Sequence, residues 1–261
     1  MKIGLAQIDC VVGDLESNCA RFSEYASRAK AEGCDVVIFP EMSDTGYVPS
    51  AIRQCAQPWS GPAFAAARSA AAENAISLIC GISERAEGTI FNTVAFLDAA
   101  GELCGKYRKT HLFSAPPVHE DDIFAAGSEL PVVVPGGLKW GLSICYDLRF
   151  PELYRALTLE GAQALLNCSA WPASRAAHWD CLTRARAIEN QAFFVGVGRV
   201  GIDGGLKMNG HSRVVTPRGE ILCEGDGESE ELLVAELDLA LMDEFRNEIP
   251  ALSSRRVDLY G

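Results

Sequence analysis

Three residues have the chemistry of acyl transfer, and all three fall where strands are expected to end. Cys145 closes the run KWGLSIC, Glu41 follows DVVIFP, and Lys109 follows ELCGKYR. A carboxylate beside a thiol can take its proton and later return one to a departing amine. A lysine ammonium can hold the charge that gathers on an attacked carbonyl oxygen. Strand ends in open α/β sheets are where such sites assemble. A cysteine between a strand and a helix is expected at a sharp, exposed turn with backbone N–H groups near it. Such surroundings lower a thiol pKa and bind an oxyanion. Taken singly, each residue also has an ordinary reading: Cys145 as core packing, Glu41 as a helix cap, Lys109 as a solvated charge.

The remaining composition narrows the class. Cys145 is one of ten cysteines in 261 residues, and no two are spaced as C-x-x-C. A zinc knuckle or dithiol redox motif is therefore not expected, and a zinc hydrolase lacks the His/Cys cluster it would need. KIGLAQI, directly after Met1, has no charged start, long apolar stretch or cleavage site of a secretory signal. The thiols are accordingly expected to be reduced and the protein cytoplasmic. No apolar run approaches the roughly 18–20 residues of a membrane span. The net charge of −12 argues against a nucleic-acid partner. An anionic substrate would need a local cationic pocket to overcome that field.

Hydrophobic periodicity supplies the elements that must position these residues. KIGLAQI (2–8) reads as a buried strand. Leu15, Cys19, Phe22, Ala26 and Ala29 recur at helical spacing, predicting a helix over about 14–31, capped by Asp14 and stopped by Gly33. DVVIFP (35–40) then completes a βαβ unit. A helix over about 62–74 begins at Pro62, followed by the strand ISLICGIS (76–83). FNTVAFLD and ELCGKYRK flank an Ala-Ala-Gly turn and read as a hairpin. Residues 110–130 are polar and aperiodic, a long surface loop of the kind that is often functional. The second half repeats the theme: strand 139–145, helix 151–160, strand 163–168, helix 175–190, strand 192–200, a hairpin over 211–224 around Pro-Arg-Gly, and a last strand 231–238. Two mixed sheets with helices outside make a four-layer α-β-β-α sandwich of the α/β class. No linker interrupts it, so residues 1–261 read as one domain.

FPEMSDTGY (39–47), YRKTHLF (107–113) and ICYDLRFPELYR (144–155) together resemble the three signatures of the nitrilase superfamily of carbon–nitrogen hydrolases. Their order matches, and so does the spacing of 68 and 36 residues between Glu41, Lys109 and Cys145. The resemblance also takes in KIGLAQID, the central hairpin and the stretch from Ala170 through Glu220, nearly the whole chain. It implies Glu41 as general base and then acid, Lys109 as oxyanion stabiliser, and Cys145 as nucleophile. The backbone N–H of Tyr146 would be the second oxyanion donor. A further glutamate that orients the lysine and meets substrate is implied in the following loop. Glu120, seven residues before Gly127, fills that place, with Asp121 and Asp122 beside it and a solvated acidic loop as the alternative. No metal or organic cofactor is implied.

CYDLRFPELYR, SAWPASRAAHWDCLTRARAIENQ and VGVGRVGIDGGLKMNGHSRVVTPRGEI look most like ω-amidases, which hydrolyse the terminal amide of 2-oxo-acid amides such as 2-oxoglutaramate. Gly198 before Arg199 departs from the usual N-R-V-G. The His178–Trp179 pair also occurs in deaminated-glutathione amidases. Arg149 and Arg175 are candidates for a far carboxylate, with an ion pair to Glu152 or Asp147 as the alternative for Arg149. Tyr47, Phe113 and Trp171 are candidate pocket walls, while His111 and His119 read as local structure. A broad aliphatic amidase, a deaminated-glutathione amidase and a non-catalytic binding protein on the same fold are the competing readings. The ending EIPALSSRRVDLYG resembles a family tail that crosses to a partner, which implies a homodimer or larger homo-oligomer.

Overall fold

The computed structural model describes residues 1–116, 118–134 and 137–260. Pro117 of the expected surface loop and Gly261 of the expected tail and domain lie outside the described residues. Strand β1 (Lys2–Gln7) leads into helix α1 (Leu15–Ala31), whose Asp14 cap accepts the Ser17 N–H at 3.1 Å. Strand β2 (Val36–Ile38) follows, then α2 (Pro49–Cys55) and α3 (Pro62–Asn74), both with proline in the first turn. Strands β3 (Ser77–Ala86), β4 (Thr89–Leu97) and β5 (Leu103–Arg108) form a meander.

After a short edge strand β6 (Val132–Val133), the pattern repeats with β7 (Trp140–Ile144), α4 (Pro151–Leu159), β8 (Ala164–Ser169), α5 (Ala176–Asn190) and β9 (Phe193–Gly198). The hairpin β10 (Arg213–Val215) and β11 (Ile221–Glu224), strand β12 (Glu231–Glu236), α6 (Ala240–Glu248) and α7 (Val257–Tyr260) complete the chain.

The strands make two six-stranded mixed sheets, in the orders β12-β1-β2-β3-β4-β5 and β11-β10-β9-β8-β7-β6. In each, three central strands run parallel: β1, β2 and β3 in one, β7, β8 and β9 in the other. Strand alternation builds the layers. Ile3 and Leu5 of β1, with Val36 and Ile38 of β2, join Trp140, Leu142 and Ile144 of β7 in a core between the sheets. The opposite faces of β1–β3, through Ala6, Val37, Leu78 and Cys80, pack under Phe22 and Ala26 of α1 and Ala67 and Ala71 of α3. Each large apolar side chain so buried contributes roughly 1.5–3 kcal/mol. With α4 and α5 covering the second sheet, the result is the expected α-β-β-α sandwich.

The last strand is not where the two-halves pattern puts it. β12 returns to the first sheet, antiparallel to β1 from Lys2↔Glu236 to Gln7↔Glu231. Its sequence fits either sheet edge, because both offer an unpaired ladder. Helices α2, α6 and α7 are also absent from the periodicity reading; α2 and α7 are too short to show a clear apolar face, and α6 escapes it although Met242 and Phe245 mark its buried side. The expected surface loop 110–130 is in part an inner wall: it carries a two-stranded ribbon (Ser114–Ala115 with Val118–His119) and a 3₁₀ turn (Glu120–Asp122) that buries Glu120 and Phe124. No helix among the described residues is long and apolar enough to cross a membrane.

Candidate active site

Glu41, Lys109 and Cys145, far apart in sequence, meet between the ends of the two sheets. Glu41 follows β2 and is fully buried. Gly81 of β3 lets that turn come close: a Cβ there would lie 2.5 Å from the Pro40 carbonyl oxygen and 2.7 Å from the Glu41 Cα. Lys109, also buried, is anchored through its backbone. Its N–H donates to Asn92 at 2.8 Å, and its carbonyl accepts the Gly127 N–H at 2.8 Å. Gly127 is itself required by packing, since a Cβ would sit 2.2 Å from the Arg108 carbonyl oxygen.

The Lys109 ammonium lies 3.2 Å from Glu41 Oε1 and 2.8 Å from Glu120 Oε1. Burial works against its charge, but the Glu120 and Glu41 carboxylates hold the ammonium well above the usual lysine range. Glu120 is fixed by three further bonds. Its Oε1 accepts the Tyr47 hydroxyl at 2.6 Å, its Oε2 accepts the Phe113 N–H at 2.6 Å, and its own N–H donates to Phe113 at 2.8 Å. The acidic-loop alternative therefore fails for Glu120, while Asp121 and Asp122 beside it are not buried. Burial and the adjacent Glu120 and Glu41 charges push the Tyr47 phenol well above its ordinary pKa, so it stays a neutral donor.

Glu41 is likewise held at both oxygens, and not as a helix cap. Oε1 accepts from Asn92 at 2.6 Å and Oε2 accepts the Ala170 N–H at 2.7 Å. Neither Asn92 nor the Ala170 N–H was legible as part of the site. Asn92 sits within an apolar strand pattern, and a backbone donor has no sequence signature.

Cys145 opens a five-residue 3₁₀ turn (Cys145–Arg149) between β7 and α4, with φ +44°. A non-glycine residue there is strained. Asp147, which sequence reasoning also missed as a site residue, holds the turn. Its carboxylate accepts the Ile144 N–H at 2.9 Å, the Tyr107 hydroxyl at 2.8 Å and the His111 N–H at 3.2 Å, and it lies 2.8 Å from His111 Nδ1. His111 thus acts locally, its ring stacked on Phe150 at 3.7 Å. The expected exposed, low-pKa thiol needs correction. Cys145 is only 8 % exposed. Burial first, then the Glu41 charge, push its thiol up, with Lys109 opposing. It rests protonated and needs a base to attack.

The thiol opens into a cleft of about 480 Å³, its mouth included, whose lining takes in Tyr47, Phe113, Tyr146, Arg149, Trp171 and Arg175. Every expected substrate-facing residue is therefore brought together. The Arg149 guanidinium lies 4.8 Å from the Trp171 ring, and Arg175 lies 5.2 Å from the Phe113 ring. The alternative ion pair for Arg149 does not form. Asp147 is occupied as above, and the neighbour of Arg149 is His178 Nδ1 at 3.2 Å. Among the described residues neither arginine has a carboxylate partner. Burial and the nearby Arg175 charge lower the Arg149 pKa. All ten cysteines are free.

A buried thiol, a carboxylate fixed at both oxygens and an ammonium locked between two carboxylates together have the chemistry that cysteine acyl transfer needs, on an α-β-β-α sandwich. The model of the carbon–nitrogen hydrolase family matches residues 2–247. The chain is 33 % identical to a protein named hydrolase in agr operon from Staphylococcus aureus, over the full length of both. It is also 33 % identical to a 2-oxoglutaramate amidase of Bacillus subtilis, covering 99 % of this chain and 98 % of that one. Among solved structures, an amidase from Nesterenkonia sp. AN1, carrying acrylamide added at its active-site cysteine, superposes with a TM-score of 0.89 and 29 % identity, covering 100 % of this chain and 98 % of the other. The chain belongs to the carbon–nitrogen hydrolase family of the nitrilase superfamily, and is an enzyme of that class with Cys145 at the position of the active-site cysteine.

Proposed function

We propose that the protein is an ω-amidase that hydrolyses the terminal amide of a small 2-oxo dicarboxylic acid monoamide such as 2-oxoglutaramate. The observation that carries this reading is the pair Arg149 and Arg175, two cations without carboxylate partners lining the same cleft as Cys145. On a protein of net charge −12, such a pair provides the local field an anionic tail needs. The Bacillus relative named for this activity agrees.

In the proposed cycle, Glu41 takes the Cys145 proton and the sulfur attacks the amide carbon. Lys109 and the Tyr146 N–H hold the oxyanion, while Glu120, braced by Tyr47, fixes the ammonium. Glu41 protonates the leaving ammonia, and a thioester remains. Water activated by Glu41 then releases the acid, with no metal or organic cofactor. Tyr47, Phe113 and Trp171 wall the acyl chain. Residues 1–261 serve as one catalytic domain of a cytoplasmic protein. We further propose a homodimer, a reading that rests on the resemblance of the ending EIPALSSRRVDLYG to a family tail that crosses to a partner.

The test is ammonia release from 2-oxoglutaramate, a neutral aliphatic amide and deaminated glutathione. The first is expected to have the highest kcat/KM. Arg149→Met is expected to raise its KM by about 10-fold or more while sparing the neutral amide. Activity on the neutral amide or deaminated glutathione alone would sink the ω-amidase reading. Cys145→Ala is expected to lose all turnover, at least about 10⁴-fold. Undiminished turnover by that variant would refute the mechanism.

A further inference from the structure

Strand β8 ends one residue beyond Cys168, which lies opposite Ile144 in the parallel ladder with β7. Ser169 therefore stands beside Cys145 where the two strands part. Its side chain is fully buried. Its hydroxyl has no hydrogen-bond partner among the described residues, and the ladder register sets the residue next to Cys145. The backbone around it is rigidly placed. The Ser169 carbonyl accepts the Arg199 N–H at 3.0 Å, and the next N–H, of Ala170, binds Glu41 at 2.7 Å.

A buried hydroxyl left unpaired is costly, so its persistence beside a nucleophile needs a reason. A thiol sulfur is a weak acceptor, whereas a thiolate is charged and takes a far stronger hydrogen bond. We propose that Ser169 is a catalytic residue whose hydroxyl donates to the Cys145 sulfur, stabilising the thiolate as it forms and again as it departs.

The contribution is differential, because the bond strengthens only when charge develops, and such bonds lower a barrier where uniform ones do not. Protons and electrons balance simply. On attack, the thiol proton passes to Glu41 and the sulfur lone pair forms the C–S bond. That proton leaves with the ammonia; on deacylation Glu41 takes a proton from the attacking water, the C–S bond breaks, its electron pair returns to sulfur, and Glu41 passes the water's proton to the thiolate. Ser169 keeps its own proton throughout. The neighbouring pattern fits: one short segment supplies a donor to the base, through Ala170, and a donor to the nucleophile, through Ser169.

The proposal rests on Cys145 being the nucleophile and not on the choice of amide. The experiment compares the parent enzyme with Ser169→Ala and Ser169→Thr in two readouts. The first is alkylation of Cys145 by iodoacetamide at several pH values, followed on the Cys145 peptide by mass spectrometry, so that the other cysteines do not interfere. The second is steady-state amide hydrolysis. The alanine variant is expected to alkylate about 10-fold more slowly and to lose about 10–100-fold in kcat with KM within about 2-fold. The threonine variant, which keeps the hydroxyl, is expected to recover most of both. A folded alanine variant that alkylates at the parent rate would overturn the proposal, as would equal slowing in both variants. A parent enzyme inactive on 2-oxoglutaramate would count against the proposed substrate, while the alkylation comparison would still read the Ser169 contact.

Discussion

At Cys145 the backbone turns with φ +44°, and the thiol sits protonated behind its own burial. Nucleophilicity here depends on neighbours held within about 3 Å of one another, and the ammonium–carboxylate network sets how much each is worth. Tyr47 donates to Glu120, and Glu120 in turn fixes Lys109. A hydrogen bond to a charged group is worth roughly 1.5–3 kcal/mol. Tyr47→Phe is therefore expected to lower kcat about 10-fold or more, with a smaller change in Tm. Glu120→Gln removes a charge 2.8 Å from the ammonium and is expected to cost about 10²–10³-fold in kcat. Steady-state kinetics with melting curves would check both. A Glu120→Gln enzyme with parental kcat would reduce Glu120 to packing.

Elements place these residues by close approach that side chains would prevent. Gly81 in β3 and Gly127 after the inner loop each leave room for a backbone carbonyl, beside Glu41 and Lys109 respectively. Gly81→Ala would drive a Cβ to 2.5 Å from the Pro40 oxygen, and the Glu41 turn must yield. A displacement of about 1 Å at a reacting group can cost about 10²-fold, so at least that loss in kcat is expected, together with a lower Tm. Parental kinetics in this variant would show that the Glu41 turn tolerates a shift.

On the scale of the molecule, Glu84 ties together the three strands β3, β4 and β5 at one edge of the first sheet. It lies 2.7 Å from Lys106 and 2.5 Å from the Arg108 guanidinium, and accepts from Thr93 at 2.8 Å. Burial opposes its charge, but the bonds from Arg108, Lys106 and Thr93 hold its pKa down to about 2. An unfolded glutamate titrates near about 4.3. The folded value lies below the unfolded one, so this stabilisation is complete above about 4.3. It is lost as pH falls towards about 2. Unfolding by denaturant along an acid series should show stability falling through that window. Glu84→Gln is expected to be less stable at neutral pH and to have a shallower acid limb. An unchanged acid limb would place the acid sensitivity elsewhere. Asp44 acts with opposite sign, since burial raises its pKa and the folded chain gains from protonating it.

The α/β layers, the reaction class and the positions of Glu41, Lys109 and Cys145 were all legible in the sequence. Local periodicity specifies strands and helices, and the motifs around those residues are specific in order and spacing. Arg149 and Arg175 could be named, the first four residues past the nucleophile and the second just after SAWPAS. Only the tertiary structure decided what each group experiences. Burial depends on every element packed around a side chain, so Cys145 went from an expected low-pKa thiol to a protonated one. Glu120, expected beside Lys109 from the resemblance, is fully buried there rather than solvated in an acidic loop, and β12 crossed to the first sheet. Asn92 and the Ala170 N–H matter because the fold aims them at the Glu41 carboxylate from distant elements, and Asp147 because it meets Tyr107 of β5 and His111 just beyond it. No local pattern encodes such an aim: hydrogen bonding depends on distances of a few ångströms that exist only after both sheets have closed over the site.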